Sequence, residues 1–244
     1  MRQLGGHALY LNWLDLQLGR GETVADTART LSGYVDGIVA RVTSHSTLDE
    51  LARYAAVPVI NGLSDKDHPV QTIADLMTIW EKKRTLENLT LAYVGDGNNV
   101  CNSLLIGCSK MGINIAVACP ARYEPDPEFV RTAKKNAETT GSSVDITTSP
   151  KHAVAKADIV YTDVFVSMGQ ETERAERLRS FLPDYQVNSE LMLSASSTAI
   201  FMHPLPCRRG EEVTGEVIDG PQSVVWDQAE NRLHTTKSLL ALLL

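Results

Sequence analysis

Short apolar runs alternate with segments of helical period along almost the whole chain, and this alternation restricts the fold more than any other feature. The apolar runs predict strands at Ala8–Leu11, Gly37–Arg41, Val57–Asn61, Leu89–Val94, Ile113–Ala118, Val144–Thr147, Ile159–Thr162, Ala199–Met202 and Ser223–Val225. Between them, helical patterns cover Thr23–Tyr34, Thr47–Tyr54, Val70–Lys83, Asn99–Met111, Asp126–Thr140, Glu171–Leu182 and Gln228–Leu243. Strands separated by helices pair in parallel, because each crossover returns the chain to the same sheet edge. Several of the runs are apolar without alternation, as expected of strands covered by helices on both faces. The pattern predicts an α/β fold. A charged break at Lys82-Lys83-Arg84-Thr85 follows a long helix pattern and divides the chain into residues 1–84 and 85–220. The segment 221–244 ends in an apolar helix that needs a partner surface and is expected to return to the first domain.

Parallel sheets bind ligands beyond the carboxyl ends of their strands, so the loops there carry the functional reading. His203-Pro204-Leu205-Pro206 follows the run Ala199–Met202, and its two prolines remove two N–H donors from a rigid loop. His203, the Leu205 carbonyl and Arg208-Arg209 are expected to converge there on a small ligand with an NH₂ group and an anionic group. His68-Pro69-Val70-Gln71 opens a helix with proline at its first position. That places His68 and Gln71 on one face near the positive end of the helix dipole. Gly95-Asp96-Gly97-Asn98-Asn99 lies between a strand and a helix; it lacks the third glycine of a dinucleotide fingerprint, so its asparagines read as caps or polar contacts. Asp163 ends a strand and is suited to an ammonium group, or to a plain helix cap, and Ser167-Met168-Gly169 follows as a loop. Arg41 at a strand end and Arg232 in the last helix supply planar forks that match phosphate.

The net charge of −7 argues against a nucleic-acid partner, so an anionic substrate has to be caught by locally placed arginines. Four cysteines show no metal-ligand spacing and read as reduced thiols of a cytoplasmic protein. No apolar run reaches the ~20 residues of a membrane-spanning helix.

Together these loops resemble the aspartate/ornithine carbamoyltransferase family, in its ornithine branch, over essentially all 244 residues and in family order. Asn61-Gly62-Leu63-Ser64-Asp65 through Gln71 is similar to the carbamoyl-phosphate motif, and His203-Pro204-Leu205-Pro206 to the HxLP loop. The resemblance implies two doubly wound parallel-sheet domains, the first truncated at its N-terminus, because the family's Ser-Thr-Arg-Thr-Arg loop has no match here. It implies carbamoyl transfer from carbamoyl phosphate to the δ-amine of L-ornithine, giving L-citrulline and phosphate, without metal or cofactor. Gln17, Arg41, His68, Gln71, Leu205 and Arg232 would hold carbamoyl phosphate, with His68, Arg41 and Leu205 closest to the chemistry. Asn99, Asp163, Ser167 and Met168 would hold ornithine. Gln17 would reach a neighbouring subunit's site in a homotrimer or a multiple of trimers. Pro204 stands where the ornithine branch keeps cysteine, so a carbamoyltransferase for another amine is an alternative. A catalytically impaired remnant that binds an ornithine-like amino acid is the other, and a nicotinamide-dependent oxidoreductase is the most distant.

Overall fold

The computed structural model describes residues 1–13, 16–167 and 169–244. Strands β1 (Ile38–Arg41) and β2 (Val59–Leu63) form a small parallel sheet with helices α1 (Val24–Ser32), α2 (His45–Tyr54) and α3 (Pro69–Lys83) around it. A second sheet has the order β5-β4-β3-β6-β7, made of β3 (Thr90–Val94), β4 (Asn114–Ala118), β5 (Val144–Thr147), β6 (Ile159–Tyr161) and β7 (Ile200–Met202). Every pairing in both sheets is parallel. The chain leaves central β3 toward one edge and then restarts at β6 toward the other, so the order reverses between β3 and β6. At such a reversal the loops after the two strands diverge and leave a crevice.

The second sheet is buried on both faces. Leu91 and Tyr93 of β3 and Ile159 and Tyr161 of β6 join a core with α4 (Asn99–Lys110), through Cys101, Leu104 and Cys108. The intervening Ala92, Val94 and Val160 face the opposite core, which includes Val154, Phe181 and Leu191. Those residues come from α6 (Pro150–Val154), α7 (Arg174–Phe181) and α8 (Ser189–Met192). The remaining helices are α5 (Pro127–Thr140), α9 (Gly215–Ile218) and the long α10 (Val225–Leu243).

Local chemistry sets the helix ends that matter. Pro69 starts α3 directly after His68, and the Asn98 side chain caps α4 by accepting from the N–H groups of Val100 and Cys101. Helix α10 packs along α3: Asn231 Nδ2 donates to Thr78 Oγ1 at 2.9 Å, and Lys82 pairs with Asp227 at 3.0 Å. The same helix starts inside the second domain's core at Val225, so it straps the two sheets together. Its far end is open to solvent, with Leu242 83% exposed.

Some expectations need correction. Ala8–Leu11 is exposed and pairs with no strand among the described residues; Tyr10 is 90% exposed. Ser223–Val225 makes one bridge, Phe201 to Ser223, and then turns into α10, three residues before the expected helix start. The span Glu171–Leu182 is a 3₁₀ turn at Glu171–Glu173 followed by α7. The expected helix at Thr47 begins earlier, at His45.

The fold itself requires glycine at position 97. A methyl group there would overlap the backbone of Glu124 and Pro125 and come within 2.7 Å of the Tyr123 carbonyl oxygen. Gly97→Ala is therefore expected to lower unfolding stability by about 3 kcal/mol, read as the shift of a urea transition.

Candidate active site

The loops after β1, β2, β3, β6 and β7 meet at the strands' carboxyl ends, and the predicted polar residues fall into two adjoining clusters. The first is built on the start of α3 and on α10. Arg232 Nη1 donates to His68 Nε2 at 3.1 Å and also to Gln71 Oε1. Because a guanidinium only donates, His68 Nε2 must accept, and the ring proton sits on Nδ1. That Nδ1 is buried and has no partner, as is Arg232 Nε. Burial, followed by the charges of Arg232 and Arg41, holds the His68 imidazolium down to a pKa of about 3. At neutral pH His68 is thus an uncharged donor beside two cations. Arg41 ends β1, is exposed and bears on His68 through its charge.

The second cluster surrounds Asp163, directly after β6. Its Oδ2 accepts from Asn98 Nδ2 at 2.8 Å and its Oδ1 from the Val164 N–H at 2.8 Å. Burial pushes its carboxyl above the usual range, opposed first by nearby His203 and then by the Asn98 and Val164 hydrogen bonds. A buried carboxylate with only neutral partners suits an ammonium group. Ser167 is half-buried in the loop beyond, its N–H held by Gln170 Oε1 at 3.0 Å. Arg177 anchors that loop, donating to the Phe165 carbonyl at 3.1 Å and to Asp96 at 2.9 Å.

Two consecutive residues join the clusters. Asn98 reaches Asp163, whereas Asn99 Nδ2 donates to the Ser64 carbonyl at 2.7 Å. The Ser64–His68 loop is further tied to α4 through the His68 N–H, which donates to Ser103 Oγ at 2.7 Å. Asn99, placed by the sequence among the ornithine contacts, holds the other cluster's loop, and Asn98 holds Asp163.

The loop after β7 is arranged differently from the reading of its sequence. His203 is fully buried: its Nδ1 accepts from the Leu205 N–H at 2.9 Å, so its Nε2 donates to Glu212 Oε1 at 3.1 Å. It is a strut inside the loop and does not face a ligand. Arg208 and Arg209 also turn away, paired with Glu211 and Asp219. Those acidic partners lie three and ten residues further along, and the expectation of converging arginines overlooked them. The strut holds Leu205 at φ 56°, a conformation that a branched side chain adopts only under constraint.

Of the other predicted residues, Gln17 is exposed in the 3₁₀ turn Gln17–Arg20, apart from both clusters' hydrogen bonds. Met168 lies outside the described residues. Reading the sequence missed Asp75, Tyr161 and Gln228, which lie behind Gln71. The missed signal was a polar stripe at 68, 71, 75 and 78, whose spacing of three, four and three marks one helix face. Among the described residues no group of three or more His, Cys, Asp or Glu side chains is arranged to hold a metal ion.

Known proteins resemble this chain over its whole length. The family model for the carbamoyl-P binding domain of aspartate/ornithine carbamoyltransferase matches residues 1–81, and that for its Asp/Orn binding domain matches residues 87–243. The ornithine carbamoyltransferase of Pyrococcus horikoshii is 58% identical over 244 residues, covering 100% of this chain and 77% of that protein. The solved ornithine carbamoyltransferase from Pyrococcus furiosus superposes with a TM-score of 0.96 at 57% identity, over 100% of this chain and 77% of that one. The enzyme from Thermus thermophilus gives 0.88 at 45% identity, over 99% of this chain and 78% of that one. Two matched domain models, high identity over the full chain and a shared fold all point the same way. The chain belongs to the aspartate/ornithine carbamoyltransferase family.

Proposed function

We propose that the chain transfers the carbamoyl group of carbamoyl phosphate to the δ-amine of L-ornithine, releasing L-citrulline and phosphate. The observation that carries this reading is the neutral His68, with its unpartnered Nδ1–H beside Arg232 and Gln71, in a loop that two hydrogen bonds, from Asn99 to Ser64 and from Asn98 to Asp163, tie to the second cluster. Residues 1–84 bind carbamoyl phosphate, residues 85–220 bind ornithine, and the segment 221–244 brings Arg232 back across both.

The phosphate is held by Arg41 and Arg232, and the carbamoyl carbonyl oxygen accepts from His68. Gln71 keeps Arg232 in place, and the Leu205 carbonyl accepts from the carbamoyl NH₂. Asp163 takes the α-ammonium group of ornithine, and Asn99, Ser167 and Met168 its α-carboxylate. The uncharged δ-amine then attacks the carbamoyl carbon. A C–N bond forms, negative charge develops on the oxygen facing His68, and the C–O bond to phosphate breaks as the amine proton passes to the departing phosphate. The transfer balances without cofactor or metal. Alignment of two substrates and stabilisation of the oxyanion are the whole of the catalysis. A neutral histidine serves here because it donates a hydrogen bond without giving up a proton. Gln17 completes the site of a neighbouring subunit in a trimer or a multiple of trimers. The four free cysteines, three of them buried, fit a protein that works in the cytoplasm.

The purified protein, supplied with ornithine and carbamoyl phosphate, is expected to form citrulline and phosphate in equal amounts. No citrulline above the uncatalysed rate would refute the reading, and equal turnover of putrescine would overturn the choice of acceptor.

A further inference from the structure

Asp75 lies on α3 one turn beyond Gln71 and is fully buried. Three donors surround its carboxylate. Gln71 Nε2 reaches Oδ1 at 2.9 Å, Gln228 Nε2 reaches the same oxygen at 2.7 Å, and the Tyr161 hydroxyl reaches Oδ2 at 3.0 Å. Each glutamine presents its other end to a different part of the proposed site. Gln71 Oε1 accepts from Arg232, and Gln228 Oε1 accepts from the His203 N–H at 2.9 Å.

A carboxylate has acceptors only, so both glutamines must turn their NH₂ groups toward it and their oxygens away. That choice presents an acceptor to Arg232 on one side and to the loop of Leu205 on the other. An anion so close to a phosphate site repels phosphate, although the Asp75 charge also helps keep the half-buried Arg232 a cation. The charge thus acts in both directions, whereas the acceptors have one definite consequence for both glutamines. Burial pushes its carboxyl up to about 6, opposed by the three hydrogen bonds, which leaves it mainly ionised and acceptor-only at neutral pH.

We propose that Asp75 is a positioning residue that orients both grips on the carbamoyl group at once, Arg232 and His68 through Gln71, and Leu205 through Gln228 and His203. This rests on the functional reading above. Tyr161 braces the same carboxylate from β6, so the hub joins α3, α10 and the second sheet.

Steady-state kinetics on Asp75→Ala and Asp75→Asn, with thermal unfolding as a control, test it. Asp75→Ala removes the acceptor that anchors both amides and is expected to lower kcat/KM for carbamoyl phosphate about a hundredfold, through both KM and kcat. The ornithine KM is expected to stay within about twofold. Asp75→Asn keeps an oxygen where both glutamines meet it, and is expected to recover kcat/KM to within about fivefold of wild type although the charge is gone. Equal rises in both KM values in Asp75→Ala would mark general loosening and overturn the proposal. An Asn variant down a hundredfold would place the role in the charge, and it overturns the proposal even if the Ala variant does not fold. A wild-type chain that forms no citrulline removes the functional reading instead. Calorimetric binding of inorganic phosphate then reads the same variants, and native affinity in Asp75→Ala overturns the hub.

Discussion

Exchange of Arg232 for methionine is expected to lower kcat/KM for carbamoyl phosphate by about a thousandfold, or roughly 4 kcal/mol. Two losses combine. The phosphate loses charged hydrogen bonds, each worth about 2 kcal/mol. His68 loses the donor that keeps its proton on Nδ1, so part of the population would carry it on Nε2, turned away from the oxyanion. The exchange also changes the acid limb of stability. The folded pKa of His68 is depressed to about 3 from 6.5, with burial the largest cause and Arg232 the second. Its contribution to stability is thus present above the unfolded value and lost as pH falls through the folded one. Without Arg232 the folded pKa rises, and the difference between urea midpoints at pH 7 and pH 4 should shrink. A variant within tenfold of wild type would remove Arg232 from the proposed chemistry.

Asp163→Asn is expected to raise the ornithine KM by roughly 100- to 1000-fold, about 3–4 kcal/mol, at the lower end of the cost of breaking a buried ion pair. The carbamoyl phosphate KM should change little, because Asp163 meets the first cluster only through Asn98 and Asn99. In the free protein the buried charge has a cost. Burial raises the folded pKa of Asp163, so its contribution to stability is complete below the unfolded value and is lost as pH rises through the folded one. At pH 7 the carboxylate is a liability until an ammonium group arrives. The Asn variant sheds that cost but leaves one of the two donors at this side chain unpaired, so ornithine should raise the wild-type melting temperature and leave that of the variant nearly unchanged. An unchanged ornithine KM would end the assignment.

The parallel architecture was legible because β3, β4 and β6 are buried on both faces, which leaves apolar runs that helices do not mimic at that length. Helices α6, α8 and α9 were not, since four or five residues cannot display a period of 3.6. The site was legible where a loop follows a strand, as at His68, Asp163 and Leu205. Direction was not legible. His203 and Arg208 have the right chemistry for a ligand, and only the fold shows that Glu212 and Glu211 take them up. Asp75 was hidden for a different reason: a polar residue within a helix pattern resembles solvent-facing surface until a second helix, here α10, is seen to cover it.

The adjacency of Asn98 and Asn99 bears on how far apart two substrates can be held. One peptide unit separates the side chain that grips Asp163 from the one that grips the Ser64 loop. Neighbouring positions at a helix start differ by about 1.5 Å of rise and a fixed rotation, and neither stretches. The start of α4 therefore acts as a ruler with covalent gradations. Any swing of one domain against the other has to keep that separation or release one asparagine, and an acceptor amine longer or shorter by a methylene would meet a gap that side-chain adjustment alone does not close.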